Sequence, residues 1–280
     1  MAIRVLAPNP SPLTGPGTNT FLIGQRHVAV IDPGPDLPTH RAAILAATPG
    51  RISHIFVTHA HLDHSEGAKA LAKATGAPII AFGHATEGRS PRMTALAAAG
   101  LSGGGEGLDA GFTPDIRLRD NEAIETPDWT IEAIHTPGHM GNHLAFRMED
   151  QVFCGDLVMG WSSTLISPPD GDLADYFRSL DRLNALRPAR LIPAHGDAIE
   201  APLPRLAELA AHRRTRSAQI LTALRQAPGT AAELATRIYD VPPALLPAAT
   251  RNTFAHLIAL QELGAVTAPE GGPNDQFSIS

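Results

Sequence analysis

The stretch "VTHAHLDHSEG", Val57 to Gly67, decides how this chain reads. It places His59, His61, Asp63 and His64 within six residues, directly after the apolar run "HIFV". Residues two apart in an extended backbone point to the same side, so His59 and His61 can share one ligand. Asp63 and His64 follow the strand end and point elsewhere. Neutral imidazoles beside a carboxylate suit zinc, and iron or manganese accept the same donors. The competing reading is a solvated loop; the spacing and the strand-end position argue against it.

Outward from this stretch, short apolar runs bounded by Gly and Pro recur: "NTFLIG", "HVAVIDPG", "ISHIFVTH", "APIIAFG", "WTIEAIHTPG", "HLAFRM", "QVFCGD" and "RLIPAHG". Their length and punctuation predict strands. Asp32, His139, Asp156 and His195 each stand at the end of such a run. Strand ends of one sheet open onto a common rim, so these side chains can converge. His59, His61 and His139 then form one ligand set, and Asp63, His64 and His195 a second. Asp156 bridges them, because a carboxylate has two oxygens and removes a unit of positive charge. His27, His40, His54, His84, His212 and His256 read as structural or exposed. His135 and His143 flank the "TPGH" turn and read as supporting residues. Cys154, the only cysteine, excludes an internal disulfide and reads as a small buried thiol.

Helical patterns lie between the strands. "SEGAKALAKATG" predicts a helix with Ser65 as N-cap, Ala68, Leu71 and Ala72 on one face, and Gly76 as its stop. "LADYFRSLDRLNAL" places Leu173, Tyr176, Phe177, Leu180 and Leu183 on a stripe. Strands mixed with helices predict an α/β layered domain over residues 1–200. The character changes after Pro204. One long helix, then a helix capped by the Thr230/Glu233 box, then a third over "ALLPAATRNTFAHLIALQELG" precede a hairpin in "AVTAPEGGPNDQFSIS". That order predicts a small winged-helix-like unit over residues 201–280. The glycine-rich stretch 100–111 reads as a mobile surface loop.

The charge balance narrows the partners. A net charge of −6 gives no global case for nucleic-acid or anionic-membrane binding. The first residues lack the apolar core of a signal peptide, and no run is long enough to span a bilayer, so a cytoplasmic protein is expected. The cluster "HRRTR", His212 to Arg216, reads as a solvated helix face.

"THAHLDH" with His139 in "TPGH", Asp156 in "CGD" and His195 in "AHG" resembles the metallo-β-lactamase superfamily, over residues from about Asn9 to Gly196. The resemblance implies an αββα sandwich with a dinuclear zinc site on its rim, the two ligand sets given above, and Asp32 as support that does not bind metal. "NPSPLTGPGTNTFLIG", "VMGWSSTLISPPDGDLADYFRSLDRL" and "HRRTRSAQIL" look like the branch called β-lactamase-like protein two. That branch carries a C-terminal winged-helix-like extension, and its mammalian member acts on single-stranded RNA. Asp156 stands where several true lactamases use a cysteine, so the family name is no argument for antibiotic hydrolysis.

The mechanism expected from two zinc ions is attack by a metal-bridging hydroxide, with Asp63 binding metal and orienting the nucleophile. This chemistry serves phosphodiesters and thioesters alike. A phosphodiesterase or endoribonuclease on single-stranded RNA follows the branch resemblance. A glyoxalase II-like hydrolase of a thioester, ester or lactone follows the acidic net charge. A non-catalytic DNA-binding regulator is the third reading, and it is weakened because the third helix carries only Arg251 as a permanent cation. The C-terminal unit is expected to shape access to the metals or to join two copies into a homodimer.

Overall fold

The strand that delivers the histidine cluster, β4 below, buries Ile55 toward one layer and Phe56 toward another, and that dictates a layer on each side. The computed structural model describes residues 2–104 and 107–280. In chain order the elements are β1 (Ile3–Leu6), β2 (Asn19–Ile23), β3 (His27–Ile31), α1 (Pro38–Ala47), β4 (Arg51–Phe56), α2 (Leu62–Ser65), α3 (Ala68–Thr75), β5 (Ile79–Ala81), α4 (Pro91–Ala98), β6 (Ile116–Arg117), β7 (Ala123–Glu125), β8 (Thr130–His135), β9 (Leu144–Met148), β10 (Gln151–Gly155), α5 (Leu173–Leu186) and β11 (Arg190–Pro193). Then follow α6 (Pro202–Gln226), α7 (Ala231–Ile238), a 3-10 turn (Pro243–Leu245), α8 (Leu246–Glu262), β12 (Val266–Thr267) and β13 (Ser278–Ile279).

Strands β1 to β6 form one sheet in sequence order, and β11-β10-β9-β8-β7 form a second. Side chains alternate between layers, as a two-residue period requires. In β3, Ala29 and Ile31 join the core between the sheets, while Val28 and Val30 face the outer layer with Ile44 of α1 and Leu71 of α3. In β10, Phe153 points between the sheets, while Val152 and Cys154 face Tyr176, Leu180 and Leu183 of α5. The result is helix, sheet, sheet, helix: the αββα sandwich. The expected α5 stripe is present, with Phe177 only partly buried, and Asp172 caps the helix by accepting from Ala174 and Asp175 N–H.

Strand direction explains the shared rim. β3 and β4 run parallel, as do β10 and β11. β8 and β10 are each antiparallel to β9, so they run the same way. The loops after β3, β4, β8, β10 and β11 therefore open at one edge of their sheets. The sheets are tied together there, with Asn19 N–H donating to Ala194 O at 2.7 Å and Leu144 N–H to Thr58 O at 2.8 Å.

Two local expectations change. Ser65 is not an N-cap: it ends the short α2, and α3 starts after Gly67. The Ser65 hydroxyl donates to His61 O and Asp109 Oδ2 instead, so it braces the histidine loop. Gly76 does stop α3 in the left-handed conformation. The stretch 100–111 is not a free loop where it is described. Leu62 N–H donates to Gly107 O, Asp109 N–H to Ala60 O, and Arg251 reaches Ser102 O; Gly105 and Glu106, within the same expectation, lie outside the described residues. Helices α1 and α4 are not among the predicted elements.

The C-terminal helices and hairpin occur in the expected order, with the Thr230/Glu233 capping box formed. The first half of α6 packs with α5 through Leu206, Leu209 and Ala210. Its second half packs with α7 and α8 through Ile220 and Leu224, joined by Met93 and Leu96 of α4. Among the described residues, no helix is long and apolar enough to cross a membrane.

Candidate metal centre

Seven side chains named from the sequence converge: His59, His61 and His139; His59, His64 and Asp156; Asp63, His64 and His195 each group their ligand atoms within 4.8 Å. All seven are buried, none more than 6% exposed. Their backbone positions follow from the rim. Asp32, in the left-handed region at φ 52°, turns off β3 and accepts from Thr58 N–H at 2.7 Å and Thr58 Oγ1–H at 2.8 Å. Such a φ is costly for a residue with a Cβ, and here it aims a carboxylate inward.

The hydrogen bonds around the cluster fix which imidazole nitrogens carry protons. Thr58 Oγ1 gives its proton to Asp32, so at 3.0 Å it accepts from His59 Nδ1–H. His139 Nδ1–H donates to Leu165 O at 2.7 Å, His195 Nδ1–H to Gly17 O at 3.2 Å, and His64 Nδ1–H to Asp32 Oδ2 at 3.0 Å. Each Nε2 is then the ring atom turned into the cluster, and a lone pair when the ring is neutral. His59 Nε2 and His139 Nε2 both stand 3.0 Å from His61 Nδ1. His64 Nε2 faces Asp63 Oδ2 at 3.2 Å and Asp156 Oδ1 at 3.5 Å; His195 Nε2 faces the same two oxygens at 3.4 and 3.2 Å. Neutral imidazoles and carboxylates pressed together repel unless positive charge, as protons or metal ions, lies between them. Asp63 Oδ1, His64 Nε2 and Asp156 Oδ1 are buried without a hydrogen-bond partner, which marks the same need. The donors therefore fit metal ions.

Asp156 spans the two sets. Its Oδ1 faces His64 and His195, and its Oδ2 lies 3.7 Å from His139 Nε2. His143 supports it by accepting from Asp156 N–H at 3.3 Å, while Thr136 holds the other ring nitrogen at 2.9 Å. Gly155 makes this possible: a Cβ there would meet His143 Nε2 at 2.5 Å. Cys154 points away, its thiol donating to Val158 O, and burial pushes its pKa up.

Protonation separates the sets. Burial, then the neighbouring His64 and His61, pushes His59 well below its usual value. Burial and then His139 lower His61 to about 3. Burial also disfavours charge on His64 and His195, but the carboxylates win. Asp63 and Asp156 raise His64 well above 6.5, and Asp156 with Asp63 raises His195 to about 10.

Some site residues escaped sequence reasoning. Thr18 Oγ1 donates to Asp63 Oδ2 at 3.1 Å, and Thr164 stands 3.0 Å from His139 Nδ1. A threonine beside an apolar run carries no mark of this role. The cluster opens into a cavity of about 240 Å³ whose far wall comes from the C-terminal unit, through Tyr239, Val241, Leu245, Ala248, Ala249 and Asn252. The "HRRTR" cluster is not a uniformly solvated face. His212 and Arg214 are exposed, Arg216 lies over the Tyr239 ring at 3.9 Å, and Arg213 is 1% exposed. The remaining histidines are structural or peripheral, His40 being held by Thr20 and His256 by Ser217.

Residues 13–195 match the family model of the metallo-beta-lactamase superfamily, and residues 230–272 match the beta-lactamase associated winged helix domain. A Beta-lactamase-like protein 2 homolog from Drosophila melanogaster is 29% identical over 98% of this chain and 92% of its own. An atrochrysone carboxyl ACP thioesterase from Aspergillus chevalieri is 30% identical over 80% of this chain and 66% of its own. The protein TTHA1623, solved in a di-iron-bound form, is 28% identical with a TM-score of 0.54, over 72% of this chain and 96% of its own. With its fold, its histidine and aspartate cluster and its C-terminal unit all matched, this chain belongs to the metallo-beta-lactamase superfamily, whose members are hydrolases.

Proposed function

We propose that this chain is a dinuclear metal-dependent hydrolase of an acyl thioester or ester with an apolar acyl part. His59, His61 and His139 would hold one ion, Asp63, His64 and His195 the other, with Asp156 between them; zinc, iron and manganese all suit these donors. Two such ions supply Lewis acidity, which makes water nucleophilic near neutral pH and stabilises the charge growing on the attacked group.

The observation that carries the substrate class is the pocket wall. Leu13, Met159, Trp161, Leu165, Val241 and Leu245 line it, and among the described residues no lysine or arginine does. An RNA backbone needs cations along its groove, whereas an acyl chain needs apolar surface. Asp63 is the residue we assign to orient the nucleophile and take its proton: Thr18 holds Oδ2, and Oδ1 is unpartnered. A thiolate leaving group, with a pKa of about 8.5, departs without a protein acid. The similarity to a fungal carrier-protein thioesterase supports the same class. The DNA-regulator reading loses its one cation, because Arg251 is turned onto Ser102 O and Ser167 Oγ.

The test is a panel of octanoyl and acetyl thioesters, a lactone and single-stranded RNA, with the protein loaded in turn with zinc, iron and manganese. Octanoyl thioester cleavage well above RNA cleavage is expected. RNA cleavage with inert thioesters sinks the proposal.

A further inference from the structure

The C-terminal unit brings one oriented polar side chain to the pocket. Asn252 of α8 lines the cavity with Leu165, Leu245 and Ala249. Two groups that only donate fix its amide: Ile166 N–H reaches Asn252 Oδ1 at 3.1 Å, and Arg213 Nη1 reaches it at 3.0 Å. An oxygen that accepts both leaves the NH2 group for the other side. Among the described residues, no hydrogen bond uses Asn252 Nδ2.

Arg213 behind it is unusual. It is 1% exposed, yet no carboxylate among the described residues pairs with it. Its guanidinium donates to Thr164 O and to Asn252, lies 5.4 Å from the Tyr176 ring centroid, and leaves Nε without a partner. A buried cation is costly unless dipoles or an anion compensate it. Here it polarises the Asn252 amide, which strengthens the NH2 group as a donor. The segment that accepts from Arg213 also holds ligand His139, through Thr164 Oγ1 and Leu165 O. One short loop therefore fixes Asn252 relative to the ligand cluster.

We propose that Asn252 Nδ2 anchors an acyl oxygen of the bound molecule, the thioester carbonyl or the product carboxylate, and that Arg213 is the positioning residue that aims it. This rests on the acyl-hydrolase reading above. Binding can be measured apart from turnover because Trp161 also lines the pocket, while the other tryptophan, Trp129, is buried between the sheets.

The experiment titrates octanoate against Trp161 fluorescence and measures octanoyl thioester kinetics for the wild type, Asn252→Asp and Asn252→Ala. The first variant keeps the oxygen that Arg213 and Ile166 need and removes the donor; the second removes the donor without adding charge. We expect the octanoate Kd and the thioester KM to rise about tenfold in both, the size of one lost hydrogen bond in a dry site, with kcat within about threefold. Metal content and melting temperature stay near the wild type in Asn252→Asp. Unchanged KM and Kd in both variants overturn the anchor. So does weakened binding that only follows lost metal or lost folding. A wild type that binds octanoate through Asn252 but cleaves no thioester removes the hydrolase reading and keeps the anchor; one that neither binds nor cleaves removes both.

Discussion

His59, His61 and His139 are buried mostly among other imidazoles, His64 included, whereas His64 and His195 face carboxylates. The two neighbouring sets therefore hold protons in opposite ways. In the first, burial shifts every imidazole toward the neutral form, with His61 lowered to about 3. The second carries extra protons when free, with His195 raised to about 10. Burial depresses every imidazole here, and the sign of the net shift is set by what each ring faces. Identical residue types a few positions apart thus differ in how readily they accept an ion: the first set is ready, and the second must give up protons.

The sharpest way to break this comparison is Asp63→Ala. It removes a proposed ligand of the second set and the group assigned to the nucleophile's proton. The expected loss in kcat is about 100- to 10,000-fold, the range for a general base, while far-ultraviolet circular dichroism stays near the wild type. Retained activity would remove that assignment.

Acidification should separate the sets. An ion entering the second set displaces protons that the free protein holds below about pH 10 at His195. Affinity there rises with pH up to that point and falls on acidification, by about tenfold per pH unit for each proton displaced. The first set, with His61 at about 3, keeps its affinity to lower pH. Stepwise loss of one metal equivalent before the other, read by chelator competition between about pH 8 and 5, is the expected result; simultaneous loss contradicts the difference.

Asp32→Asn sharpens the comparison further. Asp32 fixes His64 directly and reaches His59 only through Thr58. Metal affinity should fall by about 10- to 100-fold, the usual cost of losing an outer hydrogen bond to a ligand, and the second ion should be affected more. Cys154→Ser stands at the small end. The thiol belongs to the helix-facing core and not to the site, so metal content should not change, and the melting transition should drop by about 1 kcal/mol in equivalent stability.

The converging candidate ligands were legible because their chemistry is concentrated and punctuated: "THAHLDH" after an apolar run, then His139, Asp156 and His195 at later strand ends. Where reading failed, local signals were ambiguous. Ser65 has the type and position of an N-cap, but the chain makes an extra turn at Leu62–Ser65 and spends the hydroxyl on the loop. Arg213 looked like its charged neighbours, since helical position alone does not say which face another element will cover.

By itself, the sequence determined the layered fold, through two-residue alternation in strands and capped amphipathic helices, and named the side chains that converge. Only the tertiary structure decided the proton pattern among those side chains and the character of the pocket. Both depend on contacts between residues far apart in the chain: Asp32 with His64, Gly17 with His195, and Asn252 with Ile166 across 86 positions. Local periodicity records which face of an element is apolar. It does not record which partner that face will meet, and the partner sets both the charge of a buried imidazole and the lining of a cavity.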